Sequence, residues 1–142
     1  MKKGLTEIVF IIDRSGSMAG LEEATISGFN EMINKQKYLE GEAVVSTVLF
    51  DDRFEVLHNR APLGQIKSMT TKDYYVRGMT ALLDAIGRGI TKIDNVQKYT
   101  PVEFKAEKVI FVITTDGMEN ASKEYTYEKI KKMVEHQKEK YN

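Results

Sequence analysis

Oxygen-bearing side chains recur at a regular spacing just after two apolar runs of the sequence. Asp13, Ser15 and Ser17 stand two residues apart after the run at residues 7–12, and Asp116 follows a second apolar run in a similar way. Two carboxylates that share a site repel one another, and a divalent cation removes that cost. Oxygen ligands without His or Cys suit Mg²⁺, Mn²⁺ or Ca²⁺ better than Zn²⁺. The spacing therefore predicts an oxygen-ligated metal site, provided that the two runs are neighbours in the fold.

The elements that would carry these residues alternate between strands and helices. Residues 7–12 and 108–114 are continuous in β-branched and aromatic side chains, as is typical of strands buried on both faces. Two further strands and a turn at Asp51-Asp52 are predicted in a hairpin. The hairpin strands are at residues 43–50 and 53–58, helical spacing covers 18–37, 80–93 and 125–141, and a short helix is predicted near 63–69.

This order of elements predicts an α/β fold. We expect a doubly wound, mostly parallel sheet with one antiparallel edge strand and with helices on both faces. In such sheets, ligands bind beyond the carboxyl ends of the strands, at the point where the strand order reverses. If the two buried strands are neighbours, Asp13 and Asp116 meet at that crevice.

Composition narrows the class of protein. The 142 residues suit a single domain. Lys plus Arg and Asp plus Glu both number 21, so net charge gives no reason to expect a nucleic-acid or anionic-membrane partner. The chain has no cysteine, which excludes disulfides, thiolate metal sites and cysteine nucleophiles, and we expect a cytoplasmic protein. No apolar run approaches the roughly 20 residues that a membrane span needs.

Three segments, taken together, resemble the metal-ion-dependent adhesion site (MIDAS) of von Willebrand factor A-type domains. Asp13-x-Ser15-x-Ser17 resembles the first loop of that site, residues 78–82 resemble the second, and residues 114–117 resemble the third. All three occur in the family's order, each at a predicted junction between a strand and a helix or at the start of a helix. The resemblance covers essentially the whole chain.

The resemblance implies a role for each site residue. Ser15 and Ser17 would give hydroxyl oxygens directly to the metal, Asp13 and Asp116 would ligate it directly or through water, and Thr80 would add a hydroxyl, directly or through water. One coordination position would stay open for the Asp or Glu carboxylate of a protein partner. The implied function is a protein-binding module without catalytic activity, holding Mg²⁺ or, in its place, Mn²⁺ or Ca²⁺.

Other interpretations of the same residues stay open from sequence alone. Asp13, Asp116 and Thr80 could cap helices, and the two serines could be ordinary turn residues. A metal-assisted phosphoester hydrolase is a rival function, for which Arg14 could supply the cation that stabilises developing charge. A purely structural metal ion is another.

Further expectations concern the rim of the site and the end of the chain. Tyr74, Tyr75 and Arg77 precede the second loop and could border a binding face, and methionines such as Met18 could either join that face or pack beneath it. Members of the family usually continue with further strand–helix units, so we interpret residues 1–142 as one domain that lacks them. The strand at residues 109–113 would then be an edge, which suggests a homodimer formed through it.

Overall fold

The computed structural model describes residues 2–39, 41–51, 53–78, 81–100, 106–115 and 130–135. Two short 3₁₀ turns, Gly16–Met18 and Leu63–Gln65, accompany the regular elements. Residues 130–135 are helical. The strands and helices, in chain order, are β1 (Lys2–Asp13), α1 (Glu22–Lys37), β2 (Glu42–Phe50), β3 (Phe54–Pro62), α2 (Leu82–Tyr99) and β4 (Ala106–Thr114).

The four strands form one mixed sheet in the order β3-β2-β1-β4. β1 runs parallel to both β2 and β4, and β2 pairs with β3 in the antiparallel sense. Residues 8–12 of β1 are all buried, because strands flank it on both sides and helices cover it above and below. The predicted parallel sheet with one antiparallel edge strand is confirmed.

Alternate side chains of β1 enter two different cores, as the pleat of a strand requires. On one face, Phe10 meets Phe29 of α1, with ring centroids 4.8 Å apart in an edge-to-face arrangement. On the other face, Ile11 packs with Ala85 and Ile93 of α2. The predicted covering of both sheet faces by helices is therefore confirmed.

The strand order reverses between β1 and β4. From β1 the chain passes through α1 to β2 on one side, whereas from α2 it continues to β4 on the other side of β1. The register pairs Ile12 with Thr114, so Asp13 and Thr115 leave the sheet side by side. This is the crevice at which open α/β sheets bind ligands.

The structure differs from two of the local predictions, and a third lies mostly outside the described residues. The first helix begins at Glu22 and not at residue 18, because a 3₁₀ turn comes first and Gly20 then adopts a φ of +91°. The strand at 108–114 was predicted to be buried on both faces, yet Ile113 of β4 is 41% exposed, since among the described strands β4 pairs with β1 alone. Of the predicted helix at 125–141, only 130–135 lies within the described residues.

Across the described part of the chain, no helix has the length and apolar content to cross a membrane. Ile130, in the helix at 130–135, packs against Ile86 and Ile90 of α2.

Candidate metal centre

Asp13 ends β1 as a fully buried carboxylate that joins two loops. Its Oδ1 accepts the backbone N–H of Ser15 at 2.8 Å, which closes the tight turn after the strand. Its Oδ2 accepts the hydroxyl of Thr115 at 2.9 Å, across 102 residues of sequence. The loop after β1 and the loop after β4 are thus tied at one side chain, at the crevice where the strand order reverses.

Two serine hydroxyls lie beside this carboxylate. Ser15 Oγ and Ser17 Oγ are 2.8 Å apart. Ser15 is buried and Ser17 is exposed, because the 3₁₀ turn Gly16–Met18 carries the second serine towards solvent. Neighbouring ligands of an octahedral Mg²⁺, with bonds of about 2.1 Å, stand about 3 Å apart. The serine oxygens already have the separation that two such ligands need.

The segment before α2 is fastened to the same loop through backbone hydrogen bonds. Gly16 N donates to the carbonyl of Gly78 at 3.0 Å, and Arg77 N donates to the carbonyl of Arg14 at 2.6 Å. The first and second motif segments therefore meet, as the resemblance implied. Thr80 itself lies outside the described residues, two positions after Gly78 in the sequence.

Tyr74 supports the loop from below. Its side chain is buried, and its hydroxyl donates to the backbone carbonyl of Asp13 at 2.6 Å. Burial raises the pKa of Tyr74 to about 12, so the hydroxyl keeps its proton at neutral pH and remains a donor. The expectation that Tyr74 borders a binding face was wrong. Tyr75 and Arg77, which are 48% and 39% exposed, do lie at the surface, and Met18 is buried beneath the loop.

A second buried carboxylate, Asp51, holds the opposite side of the centre. It is 1% exposed and accepts Arg77 Nε at 2.9 Å, while Arg14 Nε lies 3.7 Å from its other oxygen. The same oxygen also accepts the backbone N–H of Arg53 at 2.9 Å. Arg14 is itself buried and forms an ion pair with Glu55 as well. Asp51 thereby anchors the segment that leads to the second loop.

From the sequence, Asp51 was expected only to be part of a hairpin turn. Its role as an anchor was not predicted. A signal was present, because Asp51 follows the apolar strand β2 just as Asp13 follows β1, and the sheet register pairs Asp13 with Phe50. Its two arginine partners, Arg14 and Arg77, are far from Asp51 in the sequence, so the sequence alone could not pair them with it.

The structure brings together three of the five predicted ligands, Asp13, Ser15 and Ser17, whereas Thr80 and Asp116 lie outside the described residues. The capping interpretation of Asp13 fails for α1, whose N-cap is Leu21 without a side-chain hydrogen bond. In the described ranges no group of three or more His, Cys, Asp or Glu side chains is placed to hold a metal ion. Among the described residues, the oxygens available to a metal at this centre are the carboxylate of Asp13 and the hydroxyl groups of Ser15 and Ser17.

The architecture is that of known proteins, although no protein-family model matches the chain and no curated protein matches it significantly. Proximal thread matrix protein 1 from the mussel byssus superposes with a TM-score of 0.59 at 21% identity, over 94% of this chain and 33% of that one. A further structure of that protein, with a zinc-occupied MIDAS motif, gives a TM-score of 0.54 at 15% identity, over 94% and 34% of the two chains.

A bacterial protein has a similar degree of structural likeness to this chain. Three N-terminal domains of the type V pili tip protein Mfa5 from Porphyromonas gingivalis give a TM-score of 0.54 at 17% identity, over 80% of this chain and 20% of that one. The chain spans about a third or less of the length of these structures. At such identities the likeness is one of fold, and the fold is that of a von Willebrand factor A-type domain.

Proposed function

We propose that the chain is a divalent-metal-dependent protein-binding module. The observation that carries the proposal is the pair of serine hydroxyls 2.8 Å apart beside the buried carboxylate of Asp13. Ser15, Ser17 and Asp13 would hold the ion, and we assign Thr80 and Asp116 to the same set from their positions in the motif. The ion would supply an electrophilic open position that binds the carboxylate of an Asp or Glu on a partner protein.

We propose Mg²⁺ as the ion, with Mn²⁺ or Ca²⁺ able to replace it. The support is the donor set, since hydroxyl and carboxylate oxygens without His or thiolate match hard divalent cations. The zinc-occupied MIDAS motif of the byssus protein is a reason to include Zn²⁺ in any comparison of metals. Three of the five assigned ligands, Ser15, Ser17 and Thr80, are neutral hydroxyl groups, so the ion would keep more of its charge than in an all-carboxylate site, which favours an anionic partner.

A hydrolytic function is less well supported than binding. Phosphoester hydrolysis at this centre would need a cation for the developing charge, and Arg14 was the candidate. Its guanidinium is buried and engaged by Asp51 and Glu55. A side chain held in this way by two carboxylates is poorly placed to serve a reacting phosphate. We also propose a cytoplasmic location, for which the absence of cysteine is the only support.

The test uses two short glycine peptides, one with a single central aspartate and one with asparagine in its place. NMR titration of the whole chain should detect binding of the aspartate peptide in Mg²⁺, and EDTA should abolish it. Ser17→Ala should weaken Mg²⁺ affinity at least about tenfold, because mutation of even a residue that only supports a metal ligand typically weakens metal binding by that factor. Ser27→Ala, an exposed serine of α1, is the matched control. Equal binding of both peptides, or binding that survives EDTA, would refute the proposal.

A further inference from the structure

A depression of about 220 Å³ opens beside the candidate metal centre. It is lined by Asp51, Arg53, Arg77 and Gly78. The carbonyl of Gly78 accepts the N–H of Gly16, the residue between the two ligand serines, at 3.0 Å. The depression therefore begins one backbone hydrogen bond from the metal-binding turn. Its volume is several times the roughly 30 Å³ that one water molecule occupies in the liquid, so an acidic side chain fits.

The charges around this depression favour an anion. Asp51 is a single buried carboxylate that is approached by both Arg14 and Arg77. The nearby Glu55 is mostly exposed and already pairs with Arg14. Of the residues that line the depression, Arg53 and Arg77 are positive and Asp51 is negative. These lining residues carry a surplus of one positive charge.

The two surface arginines have N–H groups to offer. A guanidinium carries five N–H donors. Arg77 commits its Nε to Asp51, which fixes the plane of the group at the edge of the depression. The Arg53 side chain is exposed and makes no hydrogen bond or ion pair among the described residues. Planar guanidinium donors of this kind match the two oxygens of a carboxylate.

The neighbouring charges that the structure describes do not cancel this surplus. Asp84 and Arg88 line a smaller cavity of about 30 Å³ that Arg53 also borders, and their opposite charges offset one another. Arg88 in addition lies 5.6 Å from the ring centroid of Phe54.

We infer that the Arg53–Arg77 depression is a second anion subsite, so that the partner segment carries two acidic residues. This inference rests on the proposed function: one carboxylate binds the metal, and the other enters the depression. Consecutive Cα atoms are 3.8 Å apart in a peptide, and alternate residues of an extended segment lie about 7 Å apart. Because Gly16 and Gly78 are joined by one backbone hydrogen bond, the two acidic residues of the partner should be adjacent or separated by one residue.

The experiment compares the one-aspartate glycine peptide with a peptide that carries two adjacent aspartates, both titrated by NMR in saturating Mg²⁺. The two-aspartate peptide should bind about fivefold more tightly, the value of one favourable surface ion pair. Arg53→Gln and Arg77→Gln should each reduce that advantage while the one-aspartate peptide serves as the reference. Lys35→Gln removes an exposed charge on α1 and should keep the advantage.

The outcomes separate the two ideas. An advantage that persists in both arginine variants, or equal affinity of the two peptides for the native chain, overturns the second subsite and leaves the metal-dependent function intact. Absence of binding by either peptide at millimolar concentration overturns both. Loss of the advantage in Arg53→Gln but not in Lys35→Gln supports the subsite, and retained binding of the one-aspartate peptide by Arg53→Gln shows that the variant is folded.

Discussion

At the scale of single residues, Asp13 has a structural role in addition to the metal-binding role that we propose for it. One oxygen accepts a backbone N–H of its own turn, and the other accepts the hydroxyl of Thr115. Each carboxylate oxygen has a further lone pair. The two hydrogen bonds fix the direction of the carboxylate, which lowers the entropic cost of binding an ion there.

Tyr74 gives the first prediction. Replacing it with Phe removes the hydroxyl that donates to the buried carbonyl of Asp13, and leaves that acceptor without its partner. We expect the free energy of unfolding to fall by about 1–2 kcal/mol in urea titration. Tyr75→Phe, next in the chain and 48% exposed, should change stability by less than about 0.5 kcal/mol. Equal losses in both variants would contradict the role assigned to Tyr74.

What the sequence predicted at this scale depended on local spacing. Asp13, Ser15 and Ser17 lie on one turn, so their proximity follows from their positions alone. The contribution of Tyr74 could not be predicted, because its partner lies 61 residues away and the folded chain alone brings the two together. Because aromatic residues are enriched at binding surfaces, its residue type suggested an exposed position, whereas the side chain is buried.

At the scale of elements, the centre depends on α2 lying close against β1. Gly89 of α2 has no side chain where Ile11 of β1 approaches, and a Cβ built there would lie 2.7 Å from Ile11 Cδ1. Gly89 therefore marks a point of close packing between α2 and the sheet. Among the described strands, the position of β4 and the exposure of Ile113 agree with the edge expected at residues 109–113, although the apolar composition of the strand alone did not indicate it.

Gly89→Ala and Gly28→Ala form a matched pair on the two helices. Alanine at position 89 must displace the Cδ1 methyl of Ile11, which is fully buried and closely surrounded, at a cost of about 1–3 kcal/mol for overpacking, partly offset by a helix-propensity gain of about 1 kcal/mol. We expect a net loss of about 1 kcal/mol. Gly28 has no atom within 4 Å of the added Cβ, so Gly28→Ala should stabilise by up to about 1 kcal/mol. Chemical denaturation of both variants checks the opposite signs, and stabilisation by both would contradict the close packing at Gly89.

At the scale of the whole molecule, a net charge of zero coexists with a locally positive surface beside the metal centre. Net charge alone therefore does not reveal this surface, and the local arrangement of Arg53, Arg77 and Asp51 is what supports the acidic partner that we propose. From the sequence, only Arg77 was expected at a binding face, because Asp51 and Arg53 come from the turn after β2 and are far from Arg77 in the chain.

We propose that the open edge of β4 pairs with a second copy of the chain. Among the described strands, β4 has a neighbour on one side only, and Ile113 is exposed on it. Analytical ultracentrifugation should detect a dimer at high concentration, and Ile113→Lys should abolish it. Val56→Lys, at an exposed apolar position on the opposite edge strand β3, should leave the dimer unchanged. A monomer at all concentrations would refute the proposal.

The most direct measurement is isothermal titration calorimetry of Mg²⁺ and Mn²⁺ into the native chain and into Asp13→Asn. The amide keeps an oxygen acceptor for the N–H of Ser15 while removing the charge that would hold an ion. Glu31→Gln, a 66% exposed carboxylate of α1, is the matched control. The account predicts metal-dependent heat for the native and control chains, with at least about tenfold weaker binding for Asp13→Asn. No heat with the native chain, or equal affinity in Asp13→Asn, would contradict a metal centre at these loops.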